Sequence, residues 1–314
     1  MNQTKKLTQG AMMLAIVGAL ILIDRLTAYW FTEIVVLIIP IVLIMYSAMH
    51  TLKDGLLLSV GLLIITLLLG NLQFTYLIFV PVGIATGLAY SYGVSKNKDK
   101  RTLTLIAICV YAIGELIATF IVYPLLGFPV SQFLEEYQLA LNEAGNIVGM
   151  NYGQIFASVG LDFTKLLGVI YVVSTIVTGA MEGFLISVLS TFMLKRFKIK
   201  DLGNINLWQQ RPNKALAYIS FACVCLLFVA GKIENEVLYY LCSILGILGG
   251  IVLLYHGYMF FVFYGAIVLK RNISWLVILF AVMVPVAMIL LVIVGFLYGS
   301  GPLRNYLESK VNKQ

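Results

Sequence analysis

Apolar residues run through the chain in long blocks separated by short polar or charged breaks. Read at the length that crosses a roughly 30 Å hydrocarbon layer, the blocks predict spans at about 8–28, 32–50, 54–71, 73–94, 102–126, 166–194, 215–231, 237–269 and 273–299. A backbone in lipid must satisfy its own hydrogen bonds, so blocks of this length are helices. The pattern predicts an all-α, polytopic integral membrane protein with eight or nine transmembrane helices. The run from Val237 to Lys270 exceeds one untilted span and contains Gly249-Gly250, which leaves open a bend or a division into two shorter helices.

Two polar breaks are long. The first, Phe128 to Lys165, follows the fifth span. Ser131 after Pro129 is placed to cap a helix there, with Phe133, Leu134, Tyr137 and Leu141 on one face against Glu135, Glu136, Gln138, Asn142 and Glu143. An acidic face is repelled by anionic lipid, which predicts that this helix lies over the outer mouth of the protein; a plain solvated connector is the competing reading. The second break, 195–214, opens on Lys195, Arg196, Lys198 and Lys200 and continues through Asn204 to Asn213, with Gln210-Arg211-Pro212 near its end. It divides a six-span N-terminal unit, 1–194, from a C-terminal membrane unit, 215–314, of two to four spans.

Composition sharpens this picture. With 61% hydrophobic and 11% charged residues among 314, and a mean hydropathy of +0.99, the chain has too few charges to cover a water-facing surface. The net charge of +7 is carried by short basic clusters between apolar runs, not by a stripe on a folded surface, so it reads as a topology signal and excludes a nucleic-acid role. A cytoplasmic N-terminus places Lys5, Lys6, Lys53, Lys96, Lys98, Lys100, Arg101, the group from Lys195 to Lys214, and Lys270 and Arg271 on the inner side of a cell membrane, leaving Arg25, Lys165 and Lys232 outside. The first helix is expected to remain uncleaved, and the side of the C-terminus depends on how 237–269 is resolved.

Within the spans, a few residues carry chemistry. Glu115 and Glu182 fall near the centres of the fifth and sixth spans, where an ionised carboxylate costs a few kcal/mol or more unless it is paired. Gly114 and Gly183 flank them and admit a close backbone or ligand, and Tyr111 lies one turn before Glu115. The functional reading is a polar site or proton relay binding a small molecule; the structural reading is a protonated carboxyl bonded to a neighbouring helix. Asp24-Arg25 closes the first span beside Tyr29, Trp30 and Glu33. The pair reads as an interfacial anchor or, through Arg25, as an outer contact for an anionic or polar ligand. Ala11, Ala15 and Ala19, with Gly18 beside them, make a small-residue groove along the first helix, suited either to packing within the chain or to docking a membrane-protein partner.

Other chemistry has no support. Cys109, Cys223, Cys225 and Cys242 lie in apolar runs without paired spacing and read as inert buried thiols. His50 and His256 have no acid or Cys partner at ligand spacing, so no metal site and no cofactor is predicted. The chain contains no Walker loop, no GxSxG elbow and no HExxH, and no enzymatic activity is expected.

Lys5-Lys6-Leu7-Thr8 followed by Ala11-Met12-Met13-Leu14-Ala15 resembles the first helix of the substrate-binding S-components of energy-coupling-factor (ECF) vitamin transporters. In those proteins an Ala-x-x-x-Ala pattern docks the coupling subunit. Ile39-Pro40-Ile41 and Gly55-Leu56-Leu57, continuing to Gly70, resemble their second and third helices. Over nearly its full length, including Gln210-Arg211-Pro212 and the Tyr240 to Gly265 region, the chain resembles the YybS-like family of bacterial membrane proteins, a domain of unknown function. Its proposed kinship with S-components covers about the first 200 residues. The added C-terminal spans depart from the S-component pattern. The resemblance implies a small-molecule transport protein that borrows its energy from a partner, with the substrate undefined. The alternative is a non-transporting scaffold of cell-envelope or cell-shape machinery, since the fold also resembles the MreD type.

Overall fold

The computed structural model describes residues 3–71, 73–148, 162–203, 213–233, 235–271, 273–283 and 285–311. Asn204 to Pro212, the greater part of the second polar break, lies outside them, as does the stretch 149–161 of the first. The helices are α1 (Gln3–Leu26), α2 (Thr32–Met49), α3 (Leu52–Leu69), α4 (Phe74–Ser95), α5 (Lys100–Ile117), α6 (Val130–Val148), α7 (Phe163–Arg196), α8 (Lys214–Ala230), α9 (Glu236–Ile267), α10 (Ser274–Met283), α11 (Pro285–Ser300) and α12 (Pro302–Val311). After Ile117, α5 widens into a π-helical turn, Ala118–Val122, and ends in one α turn at Tyr123–Leu125.

Among the described residues, seven helices are long and apolar enough to cross a membrane. The number is eight if the pair 288–300 and 302–310, bent by 72°, is one span. The fold is therefore that of an all-α polytopic membrane protein. Two differences lie in the C-terminal part. α8 has 17 residues, a little under a full crossing at 1.5 Å per residue. The run expected at 273–299 forms two helices, α10 and α11, with Pro285 opening the second; a proline tolerated at a first helical position cannot continue the ladder of the preceding turn. In contrast, α9 stays unbroken over 32 residues. Its Gly249 does not bend it but admits α8, since a Cβ there would stand 2.6 Å from Ser220 O.

By contact the chain forms two compact units, residues 1–140 with 174–205, and 141–173 with 206–314. In the first, α2 and α4 form the centre. Pro40 of α2 meets α4 where Gly83 and Gly87 leave room: a Cβ at Gly87 would be 3.2 Å from Pro40 O. α1 and α3 pack on one side of this pair through Val17, Ile21, Leu58 and Leu62. On the other side, Leu103, Ala107 and Tyr111 of α5 meet Ile186 and Leu194 of α7 around Tyr90. The basic breaks close one end. Lys6 pairs with Asp54 at 2.8 Å, and Lys200 donates to Val94 O at 2.6 Å and Asn97 Oδ1 at 2.7 Å, closing the C-terminus of α4. The second unit is built on α8, α9 and α11, with α10 and α12 packed beside them.

α6 begins at Val130, so Ser131 lies in its first turn and not at the cap; Pro129 O accepts from Gln132 N instead. Leu134 and Leu141 are partly covered, while Phe133 and Tyr137, expected on the same face, are exposed together with Glu135, Glu136 and Glu143. The covered positions continue to Gln138 and Gly145, a stripe rotated from the expected one.

Candidate functional site

A close approach of two helices in the first unit sets the site. Gly179 and Gly183 of α7 lie against α5: a Cβ at Gly179 would be 2.8 Å from Ala112 Cα and 2.9 Å from Glu115 Cβ, and one at Gly183 would be 2.5 Å from Ala107 O. Glycines spaced by four give two helices a shared flat seam. Polar contacts continue the seam, Thr104 Oγ1 with Ser187 Oγ at 2.8 Å and Tyr90 Oη with Thr191 Oγ1 at 3.2 Å. Gly114 serves a different neighbour, α4, where its hydrogen faces Val82.

The seam brings acids from three helices together. Tyr111, 1% exposed, lies within electrostatic range of Glu182. Glu115 is within electrostatic range of Glu182, and Glu33 in the first turn of α2 is within range of both. Glu115 Oε2 is sealed from solvent and has no hydrogen-bond partner among the described residues. Among the described residues, the charges acting on Glu115 and Glu182 are carboxylates, with no cation among them. In a low-dielectric setting such a group needs a compensating positive charge, either a bound cation or protons held among the carboxyls. Beside Glu115, Gly114 borders an apolar cleft of about 320 Å³ between α4 and α5, lined also by Pro81, Val82 and Val110. The π-helical turn follows one turn later, a distortion frequent at functional sites.

Of the residues singled out in the sequence, Glu115, Glu182 and Tyr111 converge and Arg25 stays apart, exposed on the surface of α1 and in no ion pair among the described residues. Its neighbour Asp24 points the other way and is fully buried. Asp24 Oδ1 accepts from Phe31 N at 2.7 Å, and Oδ2 accepts from Thr32 Oγ1 at 2.7 Å and from Tyr76 Oη at 2.5 Å. Asp24 O accepts from Tyr29 N at 2.8 Å. These bonds hold the tight turn from α1 into α2, in which Ala28 and Tyr29 are left-handed with φ of 54° and 66°. Sequence reading missed this network, and it missed Glu33 as a member of the acid group.

Ala11, Ala15 and Ala19 are exposed, while the neighbouring Gly10 and Gly18 meet Tyr46 and Leu69. The groove is thus not the surface by which α1 packs into its unit. The four cysteines are free, and Cys109 and Cys225 are exposed, not buried as expected: apolar runs in a membrane protein face lipid as readily as a core. Among the described residues no three His, Cys, Asp or Glu side chains are grouped to hold a metal ion.

Membrane-length helices packed through glycine seams around a group of acids define a polytopic membrane protein with an ionisable centre. The chain belongs to the family described as Predicted membrane protein (DUF2232), whose model matches residues 15–297. No curated protein and no solved structure matches it.

Proposed function

We propose that the protein is a small-molecule transport-related protein of the cell membrane, not an enzyme, whose binding centre is Glu115, Glu182, Glu33 and Tyr111. The observation that carries this reading is the buried, unpartnered oxygen of Glu115 beside two further carboxylates without a cation. Acids inside membrane spans that the fold leaves without donors mark ion and substrate pathways, because an unsatisfied carboxylate there is costly. The ligand is a cation, or a neutral solute whose binding is linked to protons on these carboxyls. The first unit resembles an ECF S-component, and the N-terminus is cytoplasmic, placing the basic breaks of that unit inside. A protein partner docks on the exposed face of α1 at Ala11, Ala15 and Ala19. That exposed face equally favours the alternative, a membrane scaffold of envelope or cell-shape machinery, which needs the partner but not the acids.

The test is co-purification of the full chain in mild detergent, followed by mass spectrometry of bound small molecules and proteins, for wild type and Glu115→Gln/Glu182→Gln. Transport predicts a small molecule lost from the double variant while a protein partner is retained. A partner retained with no small molecule in either sample would leave the scaffold.

A further inference from the structure

The second unit holds a basic pocket to which the proposed function gives no role. α9 ends at Ile267, and the chain reverses within a few residues to enter α10 at Ser274. The reversal is fixed by backbone contacts: Leu269 N and Val268 N both donate to Tyr264 O, and Arg271 N donates to Gly265 O at 3.0 Å. Gly265 permits this, since a Cβ on it would lie 2.5 Å from Ile273 Cγ1 and 3.0 Å from Arg271 O. Lys270 occupies the left-handed position, φ 51°, where glycine is the residue without strain.

An open pocket of about 440 Å³ beside the turn is lined by Val262, Ala266, Lys270, Arg271 and Ser274. Lys270 and Arg271 are exposed and join no ion pair among the described residues, and no acid is in the lining. Ser274 opens α10, whose N-terminal end adds partial positive charge. Val262 and Ala266 of the lining belong to the last turns of an apolar helix long enough to span the bilayer, and Lys270 and Arg271 make the rest of it cationic. An apolar wall meeting two cations at a span end matches the boundary of a phospholipid, acyl chain against one side and headgroup against the other.

We propose that this pocket binds the headgroup of an anionic phospholipid, with Lys270 and Arg271 on the phosphate and the first acyl carbons along Val262 and Ala266. The probe is phosphatidylglycerol added to the full chain in a phosphatidylcholine background, with retention read by native mass spectrometry. Each cation is worth about fivefold in affinity for an anionic lipid, so Lys270→Gly should lower phosphatidylglycerol retention about fivefold and the pair Lys270→Gly/Arg271→Gln about 25-fold. Phosphatidylcholine retention should be unchanged. Lys270→Gly also separates binding from folding, because it relieves the left-handed strain and so should not lower thermal stability. Unchanged phosphatidylglycerol retention in the double variant would overturn the proposal. So would displacement of the lipid by inorganic phosphate, which would make the pocket a site for the free anion.

Discussion

Two acidic centres in the first unit are built to opposite specifications. Asp24 is fully buried and its carboxylate takes three donors, Phe31 N, Thr32 Oγ1 and Tyr76 Oη. Glu115 Oε2 has no hydrogen-bond partner among the described residues, Glu182 has Tyr111 as its polar neighbour, and Glu33 adds a like charge. A membrane helix can carry a carboxylate at low cost when the fold supplies the donors, as at Asp24. Where the fold withholds them, the deficit has to be met by something that binds. The difference separates an acid that holds a turn from acids that hold a ligand or a proton, although both lie within the same apolar sequence pattern.

The largest effect is expected at the satisfied centre. Asp24→Ala leaves the Tyr76 and Thr32 hydroxyls and the Phe31 N–H without their acceptor and frees a left-handed turn, costing at least about 3 kcal/mol. Membrane accumulation and monodispersity in detergent should fall sharply, with Asp24→Asn partly restoring them. A stable Asp24→Ala protein would erase the distinction between the centres. Next comes the seam that assembles the unsatisfied centre. Gly183→Val places a side chain against Ala107 O and should cost about 1–3 kcal/mol in thermal stability through overpacking. A neutral result would mean that α5 and α7 do not need the close approach that brings the acids together.

At the acids themselves the stability effect should be small. Glu115→Gln and Glu182→Gln keep shape and hydrogen-bonding capacity and should stay within about 1 kcal/mol of wild type, measured by thermal unfolding in detergent. A loss as large as that of Asp24→Ala would recast Glu115 and Glu182 as structural. The smallest effect belongs to an acid outside the spans. Asp99 accepts from the Thr102 hydroxyl at 2.6 Å and from Thr102 N at 3.3 Å, and these bonds hold its carboxyl below the ordinary value of 3.8. Because the folded value is depressed, its contribution is present above 3.8 and is lost as the pH falls through the lower folded value. Asp99→Asn should therefore flatten the acid limb of the stability profile slightly and lower the neutral region by the same small amount.

The spans were legible because lipid imposes length and apolarity on any helix that crosses it, and the acids Glu115 and Glu182 were legible because nothing in an apolar run excuses a carboxylate. Glu33 was not. In the first turn of a helix an acid complements the macrodipole, and that ordinary role conceals membership in a distant group. Arg25 drew attention as an isolated cation, but adjacent residues on a helix face different directions, and it was Asp24 that turned inward. The seam was half visible: Gly183 was read as permitting a close neighbour, while the pairing with Gly179 depends on which helix lies opposite. Pro285 carried the signal for the division of the last apolar run, hidden by the hydropathy around it.

The central claim is that the acids of α2, α5 and α7 are short of positive charge and take it up from outside the fold. It is tested most directly by the thermal midpoint of the purified protein followed across the neutral pH range, for wild type and for Glu33→Gln/Glu115→Gln/Glu182→Gln. Wild type should show a clear pH dependence, from protons taken up at the carboxyls, that the triple variant loses while remaining folded. The same profile in both proteins, or a flat one in wild type, would contradict it.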